Sequence, residues 1–110
     1  MVRPVKGDIV VIPFPFSDLS AVKRRPAFVV QKLPGNDLIL CQITSQKFRD
    51  KYSLLINKDD FARSGLNRIS FVRPGRIFTA DIGIVKYRIG SLKEDATEKV
   101  IHRIIDIIKA

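Results

Sequence analysis

Arg24 to Ser45, RRPAFVVQKLPGNDLILCQITS, reads as a β-hairpin, and the rest of the fold is built outward from it. Two apolar runs flank the segment PGND, Pro34 to Asp37. Proline presets φ, and Gly and Asn tolerate φ > 0, so this segment has the chemistry of a turn. The basic doublet Arg24-Arg25 opens the first strand, and Thr44-Ser45 closes the second. An even loop centred on Gly35-Asn36 puts Ala27 opposite Thr44, with Arg25 one diagonal step away on the same face. A diagonal neighbour is roughly 7–8 Å off, within reach of a long side chain. The hairpin therefore predicts a guanidinium and a hydroxyl converging at one end. An odd loop would slip the register by one and put the two on opposite faces. Along the second strand, Ile39, Cys41 and Ile43 take one face. Leu38, Leu40, Gln42 and Thr44 take the other, which drifts from apolar to polar as a strand does when it leaves the core for an open surface.

Before the hairpin, Gly7-Asp8 starts a largely buried strand, DIVVIPF, rich in β-branched residues. Pro13 and Pro15 end its regular pairing, because proline cannot donate to a ladder. Phe14 and Phe16 alternate with them and plug the core or cover a groove. Ser17 to Arg24 is a polar surface loop carrying Asp18 and leading into the cluster Lys23, Arg24, Arg25. After the hairpin, Gln46 to Lys51 is a charged loop with Phe48 as an exposed aromatic, and Tyr52 to Ile56 is a short strand. Asp59 to Gly65, DDFARSG, has acidic residues at one end and Gly at the other, the pattern of a single helical turn. Ile69 to Arg73 is a strand, Pro74-Gly75 a turn or a bulge, and Arg76 to Thr79 the strand resumed. Ile82 to Ile89 adds a last strand. Ser91-Leu92-Lys93-Glu94 is a capping box, with Ser91 as N-cap and Glu94 at N3. The helix it opens runs to about Lys109. Val100, Ile101, Ile104, Ile105 and Ile108 form its apolar stripe, read as core packing. Several short strands punctuated by turns, with one terminal helix, favour a small, strongly bent barrel forming a single domain over residues 1–110.

Composition narrows the chemistry. The chain has 110 residues, 45% of them hydrophobic, enough for one core. Lys and Arg total 20 against 11 Asp and Glu, a net charge of +9 that favours a polyanionic partner over a merely solvated surface. One cysteine allows no internal disulfide, and one cysteine with one histidine falls short of a zinc site. With no apolar signal region and no run of membrane-spanning length, the expected location is the reducing cytoplasm. His102 lies on the helix's polar side with Glu94, Glu98 and Asp106, so a Ser-His-Asp triad would require it to turn inward. Cys41 shares a face with Ile39 and Ile43 and reads as a small core residue rather than a nucleophile. No phosphate loop of Walker type is present.

What remains is arginine, hydroxyls and a few carboxylates, and these suffice for one reaction. RNA carries its own nucleophile, the 2′-OH beside the scissile phosphate. A protein need only orient the strand, neutralise the developing phosphorane charge and manage two protons. Arginine's planar fork suits that charge. A Thr or Ser hydroxyl can bond a phosphate oxygen or orient the attacking group, and no metal or other cofactor is needed. As purely structural residues, Arg25 is a surface charge beside Pro26, Thr44 an ordinary strand residue, and Arg73 the flank of a turn.

GDIVVIPFPFSDLS, KRRPAFVV, LILCQITS and SFVRPGRIFTAD, followed by an amphipathic terminal helix, together resemble the MazF/PemK (Kid) family of type II toxin–antitoxin toxins. The likeness spans nearly the whole chain in order, and the PFPF and VRP variants look like a PemK-like branch. It implies an SH3-like barrel with a terminal helix, working as a homodimer. It also implies a metal-independent endoribonuclease that cuts single-stranded RNA, often mRNA, at short sequences and leaves a 2′,3′-cyclic phosphate and a 5′-OH. A labile antitoxin would block the RNA groove with a flexible acidic tail. Carried over residue by residue, the family's strand-opening arginine falls on Arg25, which stabilises charge or acts as acid. The threonine closing the next strand falls on Thr44, with Ser45 beside it, and a second catalytic arginine of some Kid-like members falls on Arg73. Their aspartate two residues on is Gly75 here, and their first-loop histidine has no counterpart. FSDLSAVKR replaces the usual glycine-rich loop and leaves Asp18 as its only carboxylate, a weaker candidate to orient or accept a proton. RNA-binding expectations fall on Lys23, Arg24, Gln46, Lys47, Arg49 and Arg76. Two other readings stay open: a basic barrel that binds nucleic acid without cutting it, and a module whose basic groove takes an acidic peptide.

Overall fold

The computed structural model describes residues 3–15, 22–45, 51–66 and 69–110. Within them lie β1 (Asp8–Pro15), β2 (Val22–Lys32), β3 (Asp37–Thr44), β4 (Leu54–Ile56), β5 (Phe61–Ser64), β6 (Ser70–Asp81), β7 (Tyr87–Leu92) and α1 (Glu94–Lys109). The strands form one antiparallel sheet in the order β4-β6-β3-β2-β1-β7-β5, bent into a half-barrel. This is the barrel-with-helix architecture expected from the sequence.

The sheet buries both faces. On one, Ile9, Phe28, Cys41, Ile43 and Val72 pack against Ala96, Val100 and Ile104 of α1. On the other, Val10, Ile12, Ala27, Val29, Leu38 and Leu40 form a second core under Phe78, Ala80, Ile82, Ile84 and Val85. This double burial is why β1 to β3 read as near-continuous apolar runs.

The central hairpin forms as read, with Gly35 at φ +82° in its turn. Its register differs. Ala27 faces Gln42, not Thr44. Near the turn Lys32 pairs with Leu38 and Gln31 with Ile39, but the register shifts between Val29 and Gln31, and beyond it Phe28 pairs with Cys41. A bulge at Val30 thus takes up one residue of β2. The ladder ends at Ala27–Gln42, and its last register leaves Arg25 and Thr44 on the same face two residues beyond it. The bulge also restores the parity that an odd turn would have broken, so the two stay on one face.

Five other expectations are corrected. Pro13 and Pro15 do not end pairing, since β1 continues against β2 as far as Pro15 opposite Val22. The Val11 carbonyl accepts from Lys86 N (2.8 Å), so residues of Val11's parity point their polar groups toward β7. Pairing with β7 stops at Val11, and the prolines' missing N–H groups fall on that unpaired side. The helical turn expected over Asp59 to Gly65 is instead a 3-10 turn, Lys58–Asp60, followed by strand β5. Asn57 caps that turn: its Oδ1 accepts from Asp59 N, and Asp60 Oδ2 accepts from Asn57 N, each at 2.9 Å. Phe61 is drawn into the core and holds the next residues extended against β7. The strand expected over Ile82 to Ile89 begins as a 3-10 turn, Ile82–Ile84, with Asp81 as its cap, and β7 starts only at Tyr87. Ser91 is not a helix cap. It lies in β7, and its hydroxyl donates to Asp8 Oδ1 at 2.7 Å. The helix begins at Glu94 without a side-chain cap, while Glu94 and Asp95 complement its N-terminal dipole. The short strand expected over Tyr52 to Ile56 covers Leu54–Ile56.

The helix stripe is core only in part. Val100 and Ile104 are buried and Ile101 partly so, but Ile105 is 41% and Ile108 71% exposed. The period is right, but Ile105 and Ile108 fall on the outer edge of the stripe, while Ile107 of the same last turn lies against Gly75 of β6. His102 is exposed on the polar side, 3.7 Å from Glu98, as expected.

Gly7 is the one glycine fixed on two counts. Its φ is +94°, and a Cβ there would lie 2.8 Å from Thr97 Oγ1 of α1. Gly7 also donates to Val29 O and accepts from Leu92 N, both at 2.9 Å, so helix, β2 and β7 meet over a bare backbone.

Candidate functional site

The site grows from the face that carries the second core. Cross-strand partners share a face, so the pairings Val10–Ala27, Ala27–Gln42 and Gln42–Arg73 make one row across four strands. Beyond that row the same face carries the pair Ile12–Arg25 on one side and the run Thr44–Phe71–Leu55 on the other. Along β3, Leu38 and Leu40 are fully buried, while Gln42 and Thr44 are half-buried. The apolar-to-polar drift expected from the sequence is therefore where the second core opens to solvent.

At the end of these strands, between this face and the α1-side core that holds Ile43 and Leu66, lies a cavity of about 250 Å³ lined by Arg25, Pro26, Ile43, Thr44, Ser45, Leu66 and Ser70. Arg25, Thr44 and Ser45, singled out from sequence, line it together. Pro26, Ile43 and Leu66 supply an apolar wall that strengthens electrostatic contacts within it. Ser70, a buried hydroxyl, was not anticipated; a serine at a strand start carries no distinctive sequence signal. Arg73 is one rung away on the same face, opposite Gln42 and diagonal to Thr44. Its distance from Thr44 is then roughly 7–8 Å between backbones.

Pro74-Gly75 resolves as a bulge within a continuous β6. Cys41 pairs with Ile77, yet Gln42 pairs with Arg73, so Pro74, Gly75 and Arg76 have no partners on β3. Arg76 and Gly75 line a second cavity of about 250 Å³ with Gln42, Ile77 and Phe78. Of the other expected RNA-binding residues, Lys23 is exposed and shares Arg25's parity, whereas Arg24 alternates to the opposite face. Asp18, Gln46, Lys47 and Arg49, with Phe16 and Phe48, lie outside the described residues.

Cys41 is fully buried, and burial pushes its thiol up from 9.0 to about 12, which removes it as a nucleophile. Two outcomes are expected. Iodoacetamide at pH 8 should label the chain only after unfolding. Because the folded thiol holds its proton where the unfolded one loses it, the thiol's contribution is intact below pH 9 and is lost as pH rises toward about 12. Wild type should therefore lose stability relative to Cys41→Ala by roughly 1.4 kcal/mol per pH unit in that window, read from denaturant unfolding. Rapid labelling of the native protein would contradict the buried assignment.

Residues 5–108 match the family model described as PemK-like, MazF-like toxin of type II toxin-antitoxin system. Among solved structures, the chain is similar to a MazE–MazF complex from Deinococcus radiodurans at 15% identity and a TM-score of 0.76, covering 96% of each chain. It is also similar to an endoribonuclease in complex with its cognate antitoxin from a mycobacterial species, at 11% identity and a TM-score of 0.73, covering 97% of this chain and 96% of that one. MazF from D. radiodurans alone gives 16% identity and a TM-score of 0.76 over 100% of both chains. No curated protein sequence matches.

Proposed function

The chain belongs to the PemK-like, MazF-like toxins of type II toxin–antitoxin systems, and from that premise we propose that it is an endoribonuclease cutting single-stranded RNA at short sequences. The observation that carries the reading is the convergence of Arg25, Thr44 and Ser45 on one cavity at the open end of the sheet. The similar folds include a protein described as an endoribonuclease, which supports the same reading.

In this reaction the RNA 2′-OH releases its proton to water while its oxygen attacks the adjacent phosphorus, and the bond to the 5′-oxygen breaks. One fragment ends in a 2′,3′-cyclic phosphate, the other in a 5′-OH. Arg25 pairs with the phosphorane oxygens as charge accumulates, or acts as the acid that gives the departing 5′-oxygen a proton and regains one from water. The Thr44 hydroxyl, with Ser45 beside it, holds a phosphate oxygen. Arg73 adds positive charge from the neighbouring rung, Lys23 tracks the backbone, and Arg76 holds the adjoining nucleotide. Chemistry of this kind uses the substrate's own nucleophile, so it proceeds without a metal ion. In the cell the target is mRNA, and cutting it stops translation in the cytoplasm.

The chain acts as a homodimer. The apolar strip of Leu55, Phe71 and Ile69 adjoining the site supports that pairing. A cognate antitoxin with a flexible acidic tail neutralises the same basic groove.

Incubation of purified protein with long single-stranded RNA in EDTA tests the reading. Discrete fragments are expected. Intact RNA retained by the protein, with an affinity that falls with salt by a log–log slope of roughly 0.7 per phosphate contact, would favour the binding module instead.

A further inference from the structure

We propose that Gln42 selects the base next to the scissile phosphate and that adenine is the base it prefers; this rests on the endoribonuclease reading above. Gln42 is half-buried on β3, in the row between buried Ala27 and Arg73, and two residues before Thr44. That step along a strand is roughly 7 Å, about twice the 3.4 Å rise of a stacked nucleotide. A neighbouring nucleotide of an unstacked strand therefore reaches Gln42 when its phosphate sits at Arg25 and Thr44.

The cavity at Gln42 is distinct from the one at Arg25 and has a different composition. It is lined by Gln42, Gly75, Arg76, Ile77 and Phe78. The bulge in β6 makes it: Pro74, Gly75 and Arg76 leave the ladder where Gln42 would otherwise meet a continuous partner strand. Gly75 brings no side chain to the mouth. Its volume of about 250 Å³ is below the roughly 300–1,000 Å³ of a drug-sized site and suits a single base. Unstacked RNA bases are held against aromatic rings or guanidinium planes and read along their edges. Phe78 and Arg76 supply those two groups, and the Gln42 amide supplies a donor beside an acceptor. Adenine offers the complementary pair at N6 and N7, the pairing that glutamine amides make.

A pool of single-stranded RNA with randomised sequence, cut by wild type, Gln42→Ala and Gln42→Glu and sequenced across the cleavage junctions, tests the assignment. Wild type is expected to favour adenine at a position within one nucleotide of the cut. Gln42→Ala should reduce that preference, measured as a ratio of rates among bases, by about 5- to 150-fold. Gln42→Glu, nearly the same shape, should shift the preference toward cytosine, whose N4 amino group donates to a carboxylate. A role in folding alone would not move base preference this way. Unchanged preference in both variants overturns the proposal while leaving the nuclease reading intact. Folded variants that cut no sequence overturn it too, because they place Gln42 in the reaction itself. If Gln42→Ala fails to fold by circular dichroism, Gln42→Glu alone decides. RNA left uncut by wild type removes the nuclease reading, and this assignment falls with it.

Discussion

Arg25→Ala should lower the rate of RNA cleavage by about 100- to 1,000-fold, the loss that follows removal of a positioned charge stabiliser, while the fold persists. The size of the effect comes from placement. Arg25 is half-buried, on the same face as Thr44, with Pro26, Ile43 and Leu66 lining the same cavity. A cation on an apolar wall acts on a developing phosphorane more strongly than the same cation in bulk water. Arg25→Lys should recover less than about one-tenth of the lost rate, because an ammonium cannot form the paired, planar contact with two phosphate oxygens. The side chain belongs to neither core cluster, so the change in unfolding free energy should stay near 1 kcal/mol. Cleavage at the wild-type rate would remove Arg25 from the site.

Asp8→Ala should be the most damaging polar substitution for stability. Asp8 is 2% exposed. Its carboxylate accepts from Val5 N at 2.9 Å, from Ser91 Oγ at 2.7 Å and from Arg88 Nη1 at 3.4 Å. These contacts tie the N-terminal turn and β1 to β7, where Gly7 and Leu92 also meet. Hydrogen bonds to a charged group contribute about 1.5–3 kcal/mol each. Arg88 is partly exposed and regains water when its partner is lost, so its share is small. Val5 N and Ser91 Oγ, half-screened from water, lose their acceptor. The expected loss is about 3 kcal/mol, or roughly 10–15 °C in Tm for a domain of this size, read by thermal denaturation followed at a far-ultraviolet wavelength. A shift of only a degree or two would show that the carboxylate is not what closes the sheet at β7.

That network also shows where sequence reasoning stops. Ser91 and Glu94 have the spacing of a capping box, yet β7 keeps the chain extended through Leu92, and the Ser91 hydroxyl finds Asp8 from across the fold. A local pattern lost to a distant partner that no window along the chain contains. The hairpin was legible because its apolar alternation and turn residues are local. Its register was not, since the bulge at Val30 leaves no mark in a run of valines. The error moved Ala27's partner from Thr44 to Gln42 and preserved Thr44's face, so the convergence with Arg25 on one cavity survived. Asp59 to Gly65 misled because the true cap, Asn57 with Asp60, begins two residues earlier and closes only a single 3-10 turn. Ile105 and Ile108 have the right period for a core stripe yet stay exposed, because the helix sets Ile104 and Ile107 inward instead. At the site, arginine and threonine stood out by elimination of other chemistry. Gln42 and Ser70 did not, because a lone polar residue in a strand is informative only once its row and its cavity are known.

The end groups of the fragments test the central claim most directly. A single-stranded RNA cut by the wild-type protein in EDTA should yield upstream fragments ending in a 2′,3′-cyclic phosphate and downstream fragments beginning with a 5′-OH. One 2′-deoxy substitution at a mapped site should abolish cutting there. Fragments carrying 5′-phosphates, or cutting that persists at the 2′-deoxy position, would contradict attack by the 2′-OH at the Arg25–Thr44 site.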